Sequence, residues 1–169
     1  MNIAVTSDIH GNASAFAHVI SLAKSHKAET LLIAGDLEIS CLTMPTDLPI
    51  VMVKGNCDAS YDFDLAGRPV PPLVVRIPWN GRTIVMTHGD RYPSPYGLSL
   101  GKNDIFVFGH IHQSRLYRNE EGETIVNPGS VTFPRGGEGA TYALFEPEEI
   151  TIRKLSDDKP IHSLALSVL

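Results

Sequence analysis

Apolar residues in the first third of the chain fall in short runs, separated by polar stops that carry glycine. Residues 2–6 alternate β-formers and lead into a loop over 7–12. Residues 14–27 then place Phe16, Val19, Ile20 and Ala23 at helical spacing, which predicts a helix with one buried face. Residues 31–34 form an apolar run of the kind buried on both faces, and it stops at Gly35-Asp36. Strand, helix, strand predicts a parallel pair joined by a crossover. Between 37 and 49 the pattern is broken by Pro45 and Pro49. Residues 50–53 predict another buried strand, ending at Gly55-Asn56, and 59–72 read as irregular surface chain.

The rest of the chain changes character. Residues 73–77 and 83–87 flank Asn80-Gly81, a pair suited to a two-residue primed turn, so they predict a hairpin. A Pro- and Gly-rich insertion over 92–102 precedes a strand at 105–108, which stops at Gly109-His110. Two more hairpins are predicted, from 115–118 with 124–126 and from 141–145 with 149–154; the tail after Ser156 gives no usable pattern. About ten strands and one helix make a mixed α/β domain over residues 1–169, best accommodated as two sheets packed face to face.

Bulk properties narrow the function. With 169 residues, a core can form without disulfide or metal staples. A net charge of -5 argues against general affinity for nucleic-acid polymers, which requires a basic face. Cys41 and Cys57 make neither a disulfide framework nor a zinc pattern. Residues 1–7 have no signal-peptide character, and no apolar run is long enough to span a membrane. A cytoplasmic protein is expected.

Against this background, five islands carry metal-competent chemistry: Asp8-Ile9-His10, Gly35-Asp36, Gly55-Asn56-Cys57-Asp58, His88-Gly89-Asp90 and Gly109-His110-Ile111-His112. Each follows a β-branched or aliphatic run, where a strand ends. Smaller islands are Gly11-Asn12 and Asn127-Pro128-Gly129-Ser130. Two divalent ions need several O and N ligands and a carboxylate between them. Asp8 and His10, like His110 and His112, are two residues apart, so an extended segment turns both side chains the same way. Asp36 suits the bridging place, with Asn56 and His88 adding an amide oxygen and an imidazole. His18 and His26 lie on the predicted helix outside any motif, and neither they nor His162 receives a role.

Asp-x-His, Gly-Asp, Gly-Asn-x-Asp, His and Gly-His-x-His in this order resemble the calcineurin-like metallophosphoesterase superfamily, from Asp8 to at least Ser130. The resemblance implies a two-sheet β-sandwich flanked by helices, a four-layer αββα arrangement. It implies one metal on Asp8, His10, Asp36 and His112 and a second on Asp36, Asn56, His88 and His110. Manganese is the favoured ion, with nickel, zinc or iron as alternatives, since ligand type alone does not choose among them. The implied reaction is attack on phosphorus by a hydroxide bridging the two ions.

Gly-Asn-Cys-Asp departs from the Gly-Asn-His-Asp or Gly-Asn-His-Glu of most phosphatases in the superfamily. With Asn127-Pro128-Gly129-Ser130, it is similar to the small YfcE-like phosphodiesterase branch. The catalytic set expected is Asp36, Asn56, Cys57 and Asp58, with Cys57 read equally as a space-filling residue and Asp58 as a partner of a ligand. Asn12, Ser130 and Arg135 are candidates for substrate phosphate; Asn12 reads better as a helix cap, and Arg135 equally as a surface residue. A small phosphate ester is the expected substrate, preferably a diester, and a homodimer or homotetramer is open. The alternatives are a phosphomonoesterase or a non-catalytic scaffold resembling the retromer subunit. The complete set of competent ligands favours the enzyme.

Overall fold

A computed structural model describes residues 1–167; Val168 and Leu169, the last residues of the unpatterned tail, lie outside the described residues. The opening strand–helix–strand unit is β1 (Asn2–Thr6), α1 (Ala13–Ser25) and β2 (Ala28–Ile33). Asn12 caps the helix, its side-chain oxygen accepting the Ala15 N–H at 3.1 Å. Strand β3 (Ile50–Met52) lies parallel to β2, as β2 does to β1. Antiparallel strands β4 (Val74–Trp79) and β5 (Arg82–Thr87) make the expected Asn-Gly hairpin. Next come β6 (Ile105–Val107), β7 (Arg115–Arg118), β8 (Thr124–Asn127), β9 (Thr141–Glu146) and β10 (Glu149–Lys154).

Three segments differ from the sequence reading. The stretch expected to wander over the surface contains a short helix, α2 (Ser60–Leu65), whose one buried residue is Phe63. One apolar anchor in six residues leaves no period to detect. The Pro-broken stretch holds a single 3-10 turn, Ile39–Cys41. The tail forms β11 (Pro160–Ala165), an edge strand that begins with proline and is mostly exposed. Edge strands of this kind lack the alternation that marks a half-buried one.

Two sheets result, with strand orders β11-β10-β9-β1-β2-β3 and β4-β5-β6-β8-β7. Side-chain alternation sorts their residues into three apolar layers. Ile3, Val5 and Leu32 from the first sheet meet Ile84, Met86, Ile105 and Val107 from the second between the sheets. Ala4, Leu31 and Ile33 face outward under Phe16, Val19 and Ala23 of α1. Val85, Phe106 and Ile125 face outward from the second sheet under Leu98 and Leu100 of the insertion. Among the described residues, irregular chain rather than a helix covers that face. Each fully buried aliphatic or aromatic side chain contributes roughly 1.5–3 kcal/mol, so these layers hold the sheets in fixed register.

Parallel pairing decides where the chemistry sits. In the first sheet β1, β2 and β3 run together, and in the second β5, β6 and β8 do. Their carboxyl ends release the loops that bear Asp8, Asp36, Asn56, His88 and His110, and Asn127 is the last residue of β8.

Candidate metal centre

Those loops converge on one cluster. His112 Nε2 lies 3.1 Å from Asp8 Oδ1, and His10 Nε2 lies 3.8 Å from both Asp8 Oδ1 and Asp36 Oδ2. On the other side of Asp36, His88 Nε2 is 3.1 Å from Oδ2 and 2.9 Å from Asn56 Oδ1. The His110 ring packs edge-on to His88 at 5.1 Å, and its backbone N–H donates to Asp8 Oδ2 at 3.0 Å. All seven residues expected as ligands are thus brought together, with Asp36 between the His10 and His88 sides.

Three imidazoles are oriented alike. Nδ1 of His88 meets the Ala34 carbonyl at 2.8 Å, Nδ1 of His112 the Phe133 carbonyl at 2.9 Å, and Nδ1 of His10 the Glu38 carboxylate at 2.8 Å. Each outer nitrogen is held by an acceptor, which turns Nε2 inward and sets the tautomer a cation requires. Glu38 escaped the sequence reading. Its signal is the i, i+2 spacing from Asp36, the same as Asp8 to His10.

That spacing works differently from the expectation of extended chain. Asp8, His10, Asp36, Glu38, His110 and His112 have φ of 54°, 48°, 53°, 53°, 67° and 56°, all in the left-handed region. A non-glycine residue held there stores of order 1 kcal/mol or more, so the surroundings must over-determine it. They do. His10 N–H donates to the Asp36 carbonyl and Gly11 N–H to the Leu37 carbonyl. Asp58, fully enclosed, accepts from the backbone N–H of Asp36, Glu38 and Gly55 at 2.9, 2.8 and 2.8 Å.

Close approach explains the glycines that precede the ligands. A Cβ at Gly109 would overlap Ser7 Oγ, and one at Gly55 would overlap Asp36 Oδ1. Neither position has room for alanine.

The donor set fits divalent cations. Asp8 Oδ1 is completely buried and has no hydrogen-bond partner, although two imidazole nitrogens converge near it. Leaving a buried carboxylate oxygen unpaired costs free energy that a bound cation removes. Groups of mutually close potential ligands are Asp8, His10 and His112, and Asp8, Asp36 and His88. A third group, His10, Asp36 and Cys57, brings a thiol to the same place.

Protonation follows this geometry. Burial works against charging His88, but the Asp36 carboxylate and the Ala34 carbonyl outweigh it and raise its pKa to about 9. Burial likewise opposes ionisation of Asp36, yet the His88 contact and the Cys57 N–H hold its carboxyl below the usual range. Partial desolvation of the thiol, reinforced by the Asp36 carboxylate, pushes Cys57 up to about 11 although the residue as a whole is exposed. For Asp58, burial outweighs its backbone donors and raises the carboxyl.

The remaining candidates fall in different places. Cys57 is exposed, and its N–H donates to Asp36 Oδ1 at 2.8 Å. Asn12 has its side-chain oxygen committed to the α1 cap. Ser130, expected near substrate, is instead fully buried: its hydroxyl donates to the Asp8 carbonyl at 2.8 Å and accepts from Thr132 and Phe133 N–H. A hydroxyl so engaged holds the loop of Asp8 and does not face solvent. Arg135 is exposed, and its N–H donates to the His112 carbonyl at 2.7 Å. Asp90 is exposed and lies 4.0 Å from Arg91.

Comparison with known proteins identifies the family and the fold. The calcineurin-like phosphoesterase superfamily domain matches residues 1–149. Phosphodiesterase YfcE of Escherichia coli K12 is 26% identical, with 99% of each chain covered. The probable metallophosphoesterase YsnB of Bacillus subtilis is 32% identical over 90% of this chain and 89% of its own. Among solved structures, YfcE, a phosphoesterase from E. coli, superposes with a TM-score of 0.86 at 27% identity, covering 99% of this chain and 100% of its own. Vps29 of Entamoeba histolytica, solved with zinc, shares the fold with a TM-score of 0.70 at 18% identity, over 99% of this chain and 100% of its own.

Proposed function

The chain belongs to the calcineurin-like phosphoesterase superfamily, and from that premise we propose that it is a metal-dependent phosphodiesterase acting on small phosphate esters. The observation that carries this reading is the orphaned, fully buried Asp8 Oδ1, with imidazole Nε2 atoms turned toward it from two loops. Asp8, His10, Asp36 and His112 would hold one divalent ion, and Asp36, Asn56, His88 and His110 would hold the other. When bound, two such ions supply Lewis-acid charge and lower the pKa of a water to make the nucleophile. Manganese in a two-ion centre, a single domain, action in the cytoplasm and assembly as a dimer or tetramer complete the proposal. No helix among the described residues is long and apolar enough to cross a membrane.

The chain's own residues set what the centre can do. Asp36 stays ionised beside His88 and keeps a carboxylate between the two halves. Asp58 and Glu38 position the ligands without reaching the reacting atoms: one clamps three backbone donors, the other orients His10. In the metal-free protein the Cys57 thiol is pushed up to about 11 and is neutral, and the position offers no imidazole to act as general acid. With no histidine at position 57, the leaving oxygen takes its proton from water, substrate or another residue, which favours diesters and good leaving groups over alkyl monoesters. The scaffold alternative is disfavoured because every ligand position holds a competent side chain.

The reading is tested by comparing kcat/KM for bis(p-nitrophenyl) phosphate and p-nitrophenyl phosphate on manganese-loaded protein. A diester preference supports it; a monoester preference transfers the assignment to a phosphatase.

A further inference from the structure

Phe133 is 58% exposed, yet it lies against the metal centre. Its ring centroid is 5.5 Å from that of His10 and 6.5 Å from that of His112, inclined by only 14° to the latter. Both ends of its peptide are fixed: the N–H donates to Ser130 Oγ at 2.9 Å, and the carbonyl accepts from His112 Nδ1 at 2.9 Å. Ser130 in turn donates to the Asp8 carbonyl, so the ring is registered to the ligands through two short links. An aromatic side chain that only filled the core would be buried; this one covers two imidazoles and leaves most of its surface to solvent.

We propose that Phe133 is the platform on which a flat ester group of the substrate stacks, so that aryl or nucleoside phosphodiesters are the preferred class. The inference rests on the phosphodiesterase reading and deepens it. Phosphorus would lie beside the ion that Asp8, His10, Asp36 and His112 would hold, next to the point where the Nε2 atoms of the two histidines approach the two carboxylates. Of its two ester groups, one directed toward the loop after β8 meets Phe133 first. A purine or nitrophenyl ring offers a π-face to stack, whereas a methyl or glyceryl group offers little. Base–aromatic stacking depends only weakly on which base is present, so the platform selects flatness rather than sequence.

The test measures binding of 5′-AMP and of inorganic phosphate to manganese-loaded wild type, F133A and F133Y by calorimetry. Stacking of this kind predicts about a tenfold loss of AMP affinity in F133A, phosphate affinity held within about twofold, and recovery in F133Y. Manganese affinity, measured on the same proteins, stays level if Phe133 acts on the substrate rather than on the imidazoles. Unchanged AMP affinity in F133A, or equal loss of AMP and phosphate, overturns the inference alone. Wild type that binds manganese but neither AMP nor phosphate overturns the phosphodiesterase reading with it.

Discussion

Glu38 Oε2 lies 2.8 Å from His10 Nδ1, joining the loop after β2 to the loop after β1. A carboxylate in this position fixes the ring, makes Nε2 a better donor to a cation and adds a negative charge beside the centre. Partners of this kind are typically worth about 10–100-fold in metal affinity. Glu38→Ala is expected to weaken manganese binding by about that factor, with Glu38→Gln intermediate because its amide oxygen still accepts. Calorimetric titration of metal-stripped protein measures it; wild-type affinity in Glu38→Ala would remove Glu38 from the account.

Asp58 is expected to matter for the fold before it matters for chemistry. Its two oxygens accept three backbone N–H groups, from Asp36, Glu38 and Gly55. Asp58→Asn turns one oxygen into a donor and strands at least one of these groups, at about 1–3 kcal/mol. Thermal unfolding in the presence of chelator should fall by about 2–4 °C for each kcal/mol lost. An unchanged midpoint contradicts the clamp.

The His88–Asp36 pair gives the metal-free protein a defined pH dependence. The pKa of His88 rises from 6.5 to about 9 on folding, because the Asp36 carboxylate and the Ala34 carbonyl outweigh burial. Protonated His88 therefore stabilises the fold fully below pH 6.5, and that contribution is lost as pH rises through about 9. Chelator-treated protein should melt at a lower temperature at pH 9 than at pH 6.5. Metal must displace the same proton, so manganese affinity should climb with pH up to about 9 and binding near neutrality should release a proton. Titration in buffers of different ionisation enthalpy reads that proton directly; its absence contradicts the assignment.

Cys57 occupies the place where most phosphatases of the superfamily carry histidine, and it is exposed, so a larger side chain has room. Cys57→His should raise turnover of alkyl and aryl monoesters by tenfold or more, toward the roughly 10²–10⁴-fold that general acid help supplies. Monoester rates at matched metal content decide this, and no gain would sink the idea.

Much of the centre was legible in the sequence because its ligands follow buried strands, where apolar runs stop abruptly. Asp8 after β1, Asp36 after β2, His88 after β5 and His110 after β6 all announce themselves in this way. The backbone that presents them was not legible. Spacing of two suggested extended chain, but Asp8 and His10 both sit at positive φ, as do His110 and His112. Glu38 was missed for the same reason, since only its left-handed turn brings it back to His10. Ser130 stood in a suggestive motif, yet its role is to hold Asp8 by a buried hydrogen bond that sequence pattern does not encode. Strand β11 and helix α2 went unread because few of their side chains are buried.

The cluster around Asp8 and Asp36 is proposed to be a metal-dependent phosphodiesterase centre. Its most direct test is hydrolysis of bis(p-nitrophenyl) phosphate by protein stripped of metal and then restored with manganese, with Asp36→Asn as control. No turnover is expected in stripped protein, turnover on restoration and none in Asp36→Asn. Protein that binds manganese yet leaves the diester intact would contradict it.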